Sequence, residues 1–316
     1  MNALQALFDT QAAGISSPQL ALVFEAYAGY DNTNDFNSLA LLRPYQAFMR
    51  RFSQEVSWGA AGEHKGGWRK VTPARLNELQ QWFDNSKTRL HDAGMALFRG
   101  GTKDAAEAPL FSFAAYPRDA LPSIKCRITL SLTDAHLSQA GVLLREFFEG
   151  EYPLAAANVG LGLAHDELSG ASYRLEPYFG YWAMRHPGLM SSCTGAQWPL
   201  IRAGGLHDVN WITVLGPRLC QRAGGLDGLR NVFGSQRRIA CEGFGGAGVL
   251  IKAGDLPQLG DTTKGDSVEL YRQVGHALIK LREGINASFQ VVHGMDREPE
   301  KRATWGNRFF SGSEAR

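Results

Sequence analysis

The runs N-W-I-T-V-L-G-P (210–217), G-G-L-D-G-L-R (224–230), G-V-L-I-K-A-G-D-L-P-Q-L-G-D (248–261) and L-Y-R-Q-V-G-H-A-L-I-K-L (270–281) decide the reading of the fold. Residues 210–215 are predicted as a short buried strand ending at Gly216, where Pro217 opens a helix without wasting a donor. Gly224 and Gly225 stop that helix, and a second one follows over 226–232. Val249-Leu250-Ile251 is dense in branched side chains and predicts a strand, and Gly254 to Asp261 is a turn-rich loop around Pro257. The last helix has Asp266 and Glu269 spaced as a capping-box-like pair and Gly284 where a C-terminal cap belongs. Leu270, Tyr271, Val274, Ala277, Leu278 and Leu281 fall on one of its faces. The glycine run 243–248 precedes a strand and lacks G-K-[ST], so it reads as a hairpin turn and not as a phosphate cradle.

Outward from this stretch, Leu20, Leu22, Phe24 and Ala26 alternate as a strand with one buried face. Residues 39–52 read as a helix despite Pro44, and the glycine-rich 56–70 as a loop. Thr72 caps a further helix with Pro73 at its first position. Strands are predicted over 95–98, 110–116 and 124–132. In the last of these Ile124, Cys126, Ile128, Leu130 and Leu132 face inward, while Lys125, Arg127, Thr129 and Ser131 face out. A helix over 135–148 takes Asp134 as cap and Gly150 as stop, and 155–163 is another strand. Residues 197–208 read as an exposed loop. The sum is an α+β fold, a mostly antiparallel sheet with helices packed on one face.

A chain of 316 residues, 44% hydrophobic and 20% charged, is that of an ordinary globular protein. Its formal net charge of +2 is neither the excess of a nucleic-acid binder nor the acidity of a DNA mimic. Such balance suits a protein whose partner is another protein. Cys126, Cys193, Cys220 and Cys241 are far apart with no C-x-x-C, as expected of reduced thiols in the cytoplasm. No secretory signal is visible, and no run reaches the roughly 18 apolar residues of a membrane span.

His165-Asp166-Glu167 is the best candidate for acid–base work, since a carboxylate can orient an imidazole. Neighbours on a strand point to opposite faces, however, and no nucleophile elbow accompanies them, so a solvated strand end is the reading preferred to a hydrolase. No H-x-x-x-H or H-E-x-x-H spacing supports a zinc site. Neither a metal nor a cofactor is expected. The doublets Arg50-Arg51 and Arg237-Arg238 are read as solvated edges.

The quoted runs also resemble the C-terminal signature of the TsiV-like immunity family. Its members protect bacteria against nuclease toxins injected by type VI secretion systems, notably those with a VRR-NUC or restriction-endonuclease-like domain. The matching pieces are Asn210-Trp211 with Leu215-Gly216, Gly224-Gly225-Leu226, Gly248 to Ile251, Ala253-Gly254 through Pro257 to Asp261, and Tyr271 with Arg272. Upstream, Tyr181, Arg185, Pro187, Gly188 and Leu189 resemble the family's aromatic-then-R-x-P-G-L segment. The resemblance implies an immunity domain over 18–284, with room for two packed subdomains divided near 165–190. Around it lie a leader, 1–17, and a polar tail, 285–316, in which Trp305, Phe309 and Phe310 are apolar enough to dock back. It implies a non-catalytic protein that binds a cognate nuclease toxin 1:1 in the cytoplasm, without itself touching nucleic acid or membrane. An adaptor of the secretion apparatus is the third reading. Core packing is the preferred reading of the aromatics at 178–182 and loop-building that of residues 255–261, but because aromatic and arginine side chains dominate binding hot spots, Tyr181, Trp182, Arg185, Gln258 and Asp261 are the candidate partner-binding residues. With no acidic excess, blockade of the toxin's active-site mouth or of its assembly is expected, and not imitation of DNA.

Overall fold

The computed structural model describes residues 19–29, 39–62, 68–77, 94–99, 107–116, 123–150, 154–164, 182–190, 205–282 and 304–310. The chain divides into two compact units, Met1–Pro153 with Gly162–Leu175, and Leu154–Leu161 with Glu176–Arg316.

In the first unit the strands are β1 (Leu20–Gly29), β2 (Trp58–Gly62), β3 (Arg69–Lys70), β4 (Gly94–Arg99), β5 (Glu107–Tyr116) and β6 (Ser123–Ser131). They lie in the order β3-β2-β4-β5-β6-β1, each pairing antiparallel. Two helices, α1 (Leu39–Phe52) and α2 (Asp134–Phe148), cover the apolar side. Phe24 of β1 meets Phe147 of α2 edge-on at 5.5 Å, and Phe48 of α1 meets Phe111 of β5 at the same centroid distance. Such ring pairs add modestly to the burial that holds helix to sheet. Residues 73–77 are helical, and Thr72 Oγ1 accepts from the Arg75 amide, as its capping position requires.

Three expectations change here. The glycine-rich stretch 56–70 is not a loop, because β2 and β3 run through it. Trp58 pairs with Lys70 and Ala60 with Ala96, and backbone pairing outweighs the weak strand preference of glycine. The cap of α2 is Thr133, whose Oγ1 accepts from the His136 amide at 3.1 Å, so Asp134 sits inside the first turn, where its charge favours the helix dipole. The polar side of β6 is not solvated. Lys125, Arg127 and Thr129 are at most 2% exposed, and β1 is buried on both faces. Register explains part of this: Glu25 lies opposite Arg127, and the guanidinium meets the carboxylate at 2.9 Å while also donating to the Leu163 carbonyl at 3.0 Å. The Tyr27 hydroxyl donates to the other carboxylate oxygen. A charge so buried is tolerable only when paired and hydrogen-bonded.

The second unit takes β7 (Leu154–Leu163) through Leu161, then β8 (Ile212–Leu215), β9 (Ile239–Phe244) and β10 (Gly248–Ala253), in the order β7-β8-β10-β9, again antiparallel. After β8 come α3 (Pro217–Arg222), with Pro217 in its first turn, and α4 (Gly225–Phe233), entered through Gly224 at φ 95°. Gly216 must be glycine, because its amide bonds to Ala155 O at 3.0 Å and the Leu154 carbonyl occupies the place a Cβ would take. The glycine run forms the hairpin turn between β9 and β10.

The last helix, α5, runs Glu269–Ala277 and continues as a 3-10 turn, Ile279–Leu281. Leu270, Tyr271, Val274, Leu278 and Leu281 are buried on it, with Ala277 half-buried. No capping box forms. The residue before the helix is Val268 in the left-handed region (φ 53°), and Asp266 Oδ1 accepts from the Val268 amide at 3.2 Å, a local turn one residue earlier. Gly284 lies outside the described residues. Residues 205–208 belong to the stretch expected as an exposed loop, yet Leu206, His207 and Asp208 are at most 3% exposed, since Asp208 is drawn in by Arg308 at 2.9 Å. Among the described residues no helix is long and apolar enough to cross a membrane.

Candidate functional site

In the second unit three segments distant in sequence converge: 182–190, the loop 254–268 and 304–310. Residues 182–185 make one helical turn, from which Arg185 reaches the loop. Its Nε and Nη2 donate to the two carboxylate oxygens of Asp261 at 3.3 and 3.0 Å, the two-pronged geometry that suits guanidinium to carboxylate. Asp261 Oδ1 also accepts from the amide and hydroxyl of Thr263, at 3.0 and 2.6 Å, capping the 3-10 turn Thr262–Lys264. The Arg185 and Thr263 hydrogen bonds hold this carboxyl well below the usual carboxylate range. Every described contact of Asp261 therefore favours the charged form.

Directly behind, His186 Nδ1 lies 2.7 Å from Gly260 O. A carbonyl can only accept, so the ring carries its proton there. Trp182 stacks on the same imidazole at 5.6 Å and is only 8% exposed. Gly188 closes the gap, with its amide on Leu259 O at 2.7 Å and Gln258 O where a Cβ would stand. The loop is pinned elsewhere too. Trp211 Nε1 donates to Gly254 O at 2.9 Å, and the Gln258 amide donates to the Tyr271 hydroxyl at the same distance. Burial raises the Tyr271 phenol above its ordinary range.

Residues 304–310 complete the assembly. Trp305 Nε1 donates to Ala183 O at 2.8 Å, and Arg308 donates to Pro187 O at 2.7 Å while its guanidinium lies over both Trp305 and Phe309. Phe309 meets Tyr271 edge-on at 5.6 Å. Of the stretch expected as a polar tail, this part is docked, with Trp305, Phe309 and Phe310 all buried.

The five candidate contact residues thus fall in different places. Arg185 and Asp261 are brought together, Gln258 is half-buried beside them, and Trp182 lies beneath as packing. Tyr181 lies outside the described residues, as do His165, Asp166 and Glu167. No motif or spacing marks His186, Arg308 or Asp208, and the one signal near Arg308 is the cluster of Trp305, Phe309 and Phe310 around it. The rim is exposed at Met184, Leu256 and Lys264. Among the described residues no three His, Cys, Asp or Glu side chains gather as metal ligands would.

Many of the residues that fix this loop are among those quoted for the resemblance: Trp211, Gly254, Gln258, Asp261 and Tyr271 with Arg185 and Gly188. A family model described as TsiV, type VI immunity for VRR-NUC, matches residues 40–309. The chain belongs to the TsiV family. It is a type VI immunity protein, and TsiV membership implies a VRR-NUC effector as the protein it binds. The TsiV match runs through both units and includes the docked residues 304–309. In fold the chain is similar to the solved structure of the Pseudomonas aeruginosa T6SS protein PA0821, with a TM-score of 0.74 and 18% identity, covering 97% of this chain and 86% of that one. A comparison with curated proteins finds no match.

Proposed function

We propose that this TsiV protein neutralises its effector by occupying the nuclease surface 1:1, in the cytoplasm, covering the active-site mouth or blocking assembly of the toxin. It makes and breaks no bond itself and needs neither metal nor cofactor. The observation that carries this reading is the family match across 40–309. Charge supports the manner of inhibition: a formal +2 leaves no acidic excess with which to imitate DNA.

Neutralising a nuclease demands that nearly every toxin molecule be held. A nanomolar complex corresponds to about 12 kcal/mol, usually drawn from an interface of roughly 1,600 Å² with a few anchors. A rigid surface helps, because little ordering entropy is then lost on binding. The clasped loop 254–268 has that quality; of the candidate partner-binding set of Tyr181, Trp182, Arg185, Gln258 and Asp261, the four described residues act in this reading by shaping the loop and its rim.

Co-expression with the nuclease encoded by the neighbouring gene tests the proposal. Survival of cells that the nuclease alone kills, with co-elution at 1:1 in light scattering, is the expected result. Cells that die despite a soluble, folded antidote, or a purified chain that turns over a substrate through His165, overturn it.

A further inference from the structure

We infer that the outer face of α3 and α4, with the turn that follows them, docks on a carboxylate-lined face of the effector nuclease; this rests on the immunity reading above. Between Pro217 and Glu242 the chain carries five arginines, Arg218, Arg222, Arg230, Arg237 and Arg238, and no lysine. Against them stand only Asp227 and Glu242. The surplus of three exceeds the formal +2 of the whole chain, so its positive charge is concentrated here.

All five arginines are exposed. Arg218 and Arg222 lie one helical turn apart on α3, hence on one side of it, while Leu219 and Cys220 point into the unit. On α4 the buried side is Leu229 and Phe233, leaving Arg230 and Val232 outside, Val232 at 52% exposure. Arg230 lies 3.7 Å from Asp227 with both side chains exposed, a pair weak enough to exchange for a better partner.

The restriction to arginine points to the chemistry of the partner. A guanidinium grips a carboxylate with two parallel hydrogen bonds and gives up its water more readily than an ammonium does. Nucleases that cleave with divalent metals hold those ions with carboxylates, which present uncompensated negative charge when the metal is displaced. A cationic face seated there opposes both metal and substrate without any resemblance to DNA. Nucleic acid is the less favoured occupant. A strand-binding groove interleaves its cations with exposed aromatics, whereas Phe233 and Phe244 are buried here, and two acidic residues interrupt the patch.

The test measures affinity of the full chain for the purified effector by biolayer interferometry, beside protection of cells. R218E/R222E and R230E/R237E are each expected to weaken binding by about 10- to 100-fold while keeping a cooperative melting transition, since charge reversal sets like charges against each other. R218Q/R222Q, which keeps the helix surface neutral, is expected to lose about tenfold and stands in if a glutamate variant misfolds. Added Mg2+ at constant ionic strength is expected to weaken the wild-type complex by competing for the carboxylates. Variants that bind like the wild type overturn the surface assignment while leaving the immunity reading intact. A wild type that neither binds nor protects overturns the immunity reading itself. Wild-type binding to a short DNA duplex at physiological salt, lost in the same variants, overturns the carboxylate assignment in favour of nucleic acid.

Discussion

Arg185 holds both carboxylate oxygens of Asp261 across 76 positions of chain, with side-chain exposures of 32% and 11%. Nothing else described ties the helical turn 182–185 to the loop so directly by charge. The folded carboxyl ionises well below its unfolded counterpart, first because of Arg185 and then Thr263. A lowered folded pKa gives stability that is fully present above the unfolded value, about 3.9, and lost as pH falls through the folded value. Thermal melts of wild type and Asp261→Asn should therefore differ by a constant amount above about pH 5, and the gap should close progressively below about pH 4. A gap independent of pH down to the acid limit would show that the clasp does not govern this carboxyl.

Trp182 and Gln258 should separate packing from contact. Trp182→Ala removes a buried ring from above His186 and is expected to cost about 3–5 kcal/mol, losing protection only because the unit loosens. Gln258→Ala keeps the amide that bonds Tyr271, so denaturation should be unchanged. If it still weakens effector binding, the loop lies in the interface. Urea denaturation paired with interferometry reads both.

The buried pair Glu25–Arg127 makes a contrasting prediction for the first unit. Arg127→Met leaves a carboxylate buried beside Tyr27 with its strongest partner gone, at a cost of about 3–5 kcal/mol. Adding Glu25→Leu should recover much of that loss, because the stranded charge goes with it. A double variant no more stable than the single one would mean that the polar face is held chiefly by its other members, Lys125 and Ser112 among them.

Gly275 on α5 touches the backbone of Phe309, and a Cβ there would strike its carbonyl oxygen. Gly275→Ala should displace residues 304–310 at a cost of about 1–3 kcal/mol. The displacement should appear as new protease cleavage near Trp305 and a change in its fluorescence. Cleavage unchanged from wild type would show that the helix shifts instead of the segment.

Much of the second unit is legible in sequence because its signals are local. Pro217 fits the first turn of a helix, Gly224 supplies the left-handed residue between two, and the glycine run between two apolar strands supplies turn residues. The clasp was half legible: Arg185 and Asp261 both stood out, but a pairing over 76 positions depends on the fold and no spacing rule reports it. The first unit misled where alternation was trusted to mean solvent. Lys125, Arg127 and Thr129 do point away from the apolar side of β6, yet periodicity says only which face a side chain is on, not what covers that face. The glycines of β2 misled in the opposite sense, since pairing with β4 asks nothing of side chains.

Ribosomes emit a polypeptide from its amino end, so Trp305 and Arg308 emerge after Ala183 and Pro187, the carbonyls they are to cover. Through most of its own translation the second unit thus waits with that flank open. A stop at 304 would deprive Asp208 of the Arg308 guanidinium and Tyr271 of its ring neighbour. Frameshifts just before residue 304 should accordingly be as damaging to an exposed bacterium as those near residue 40.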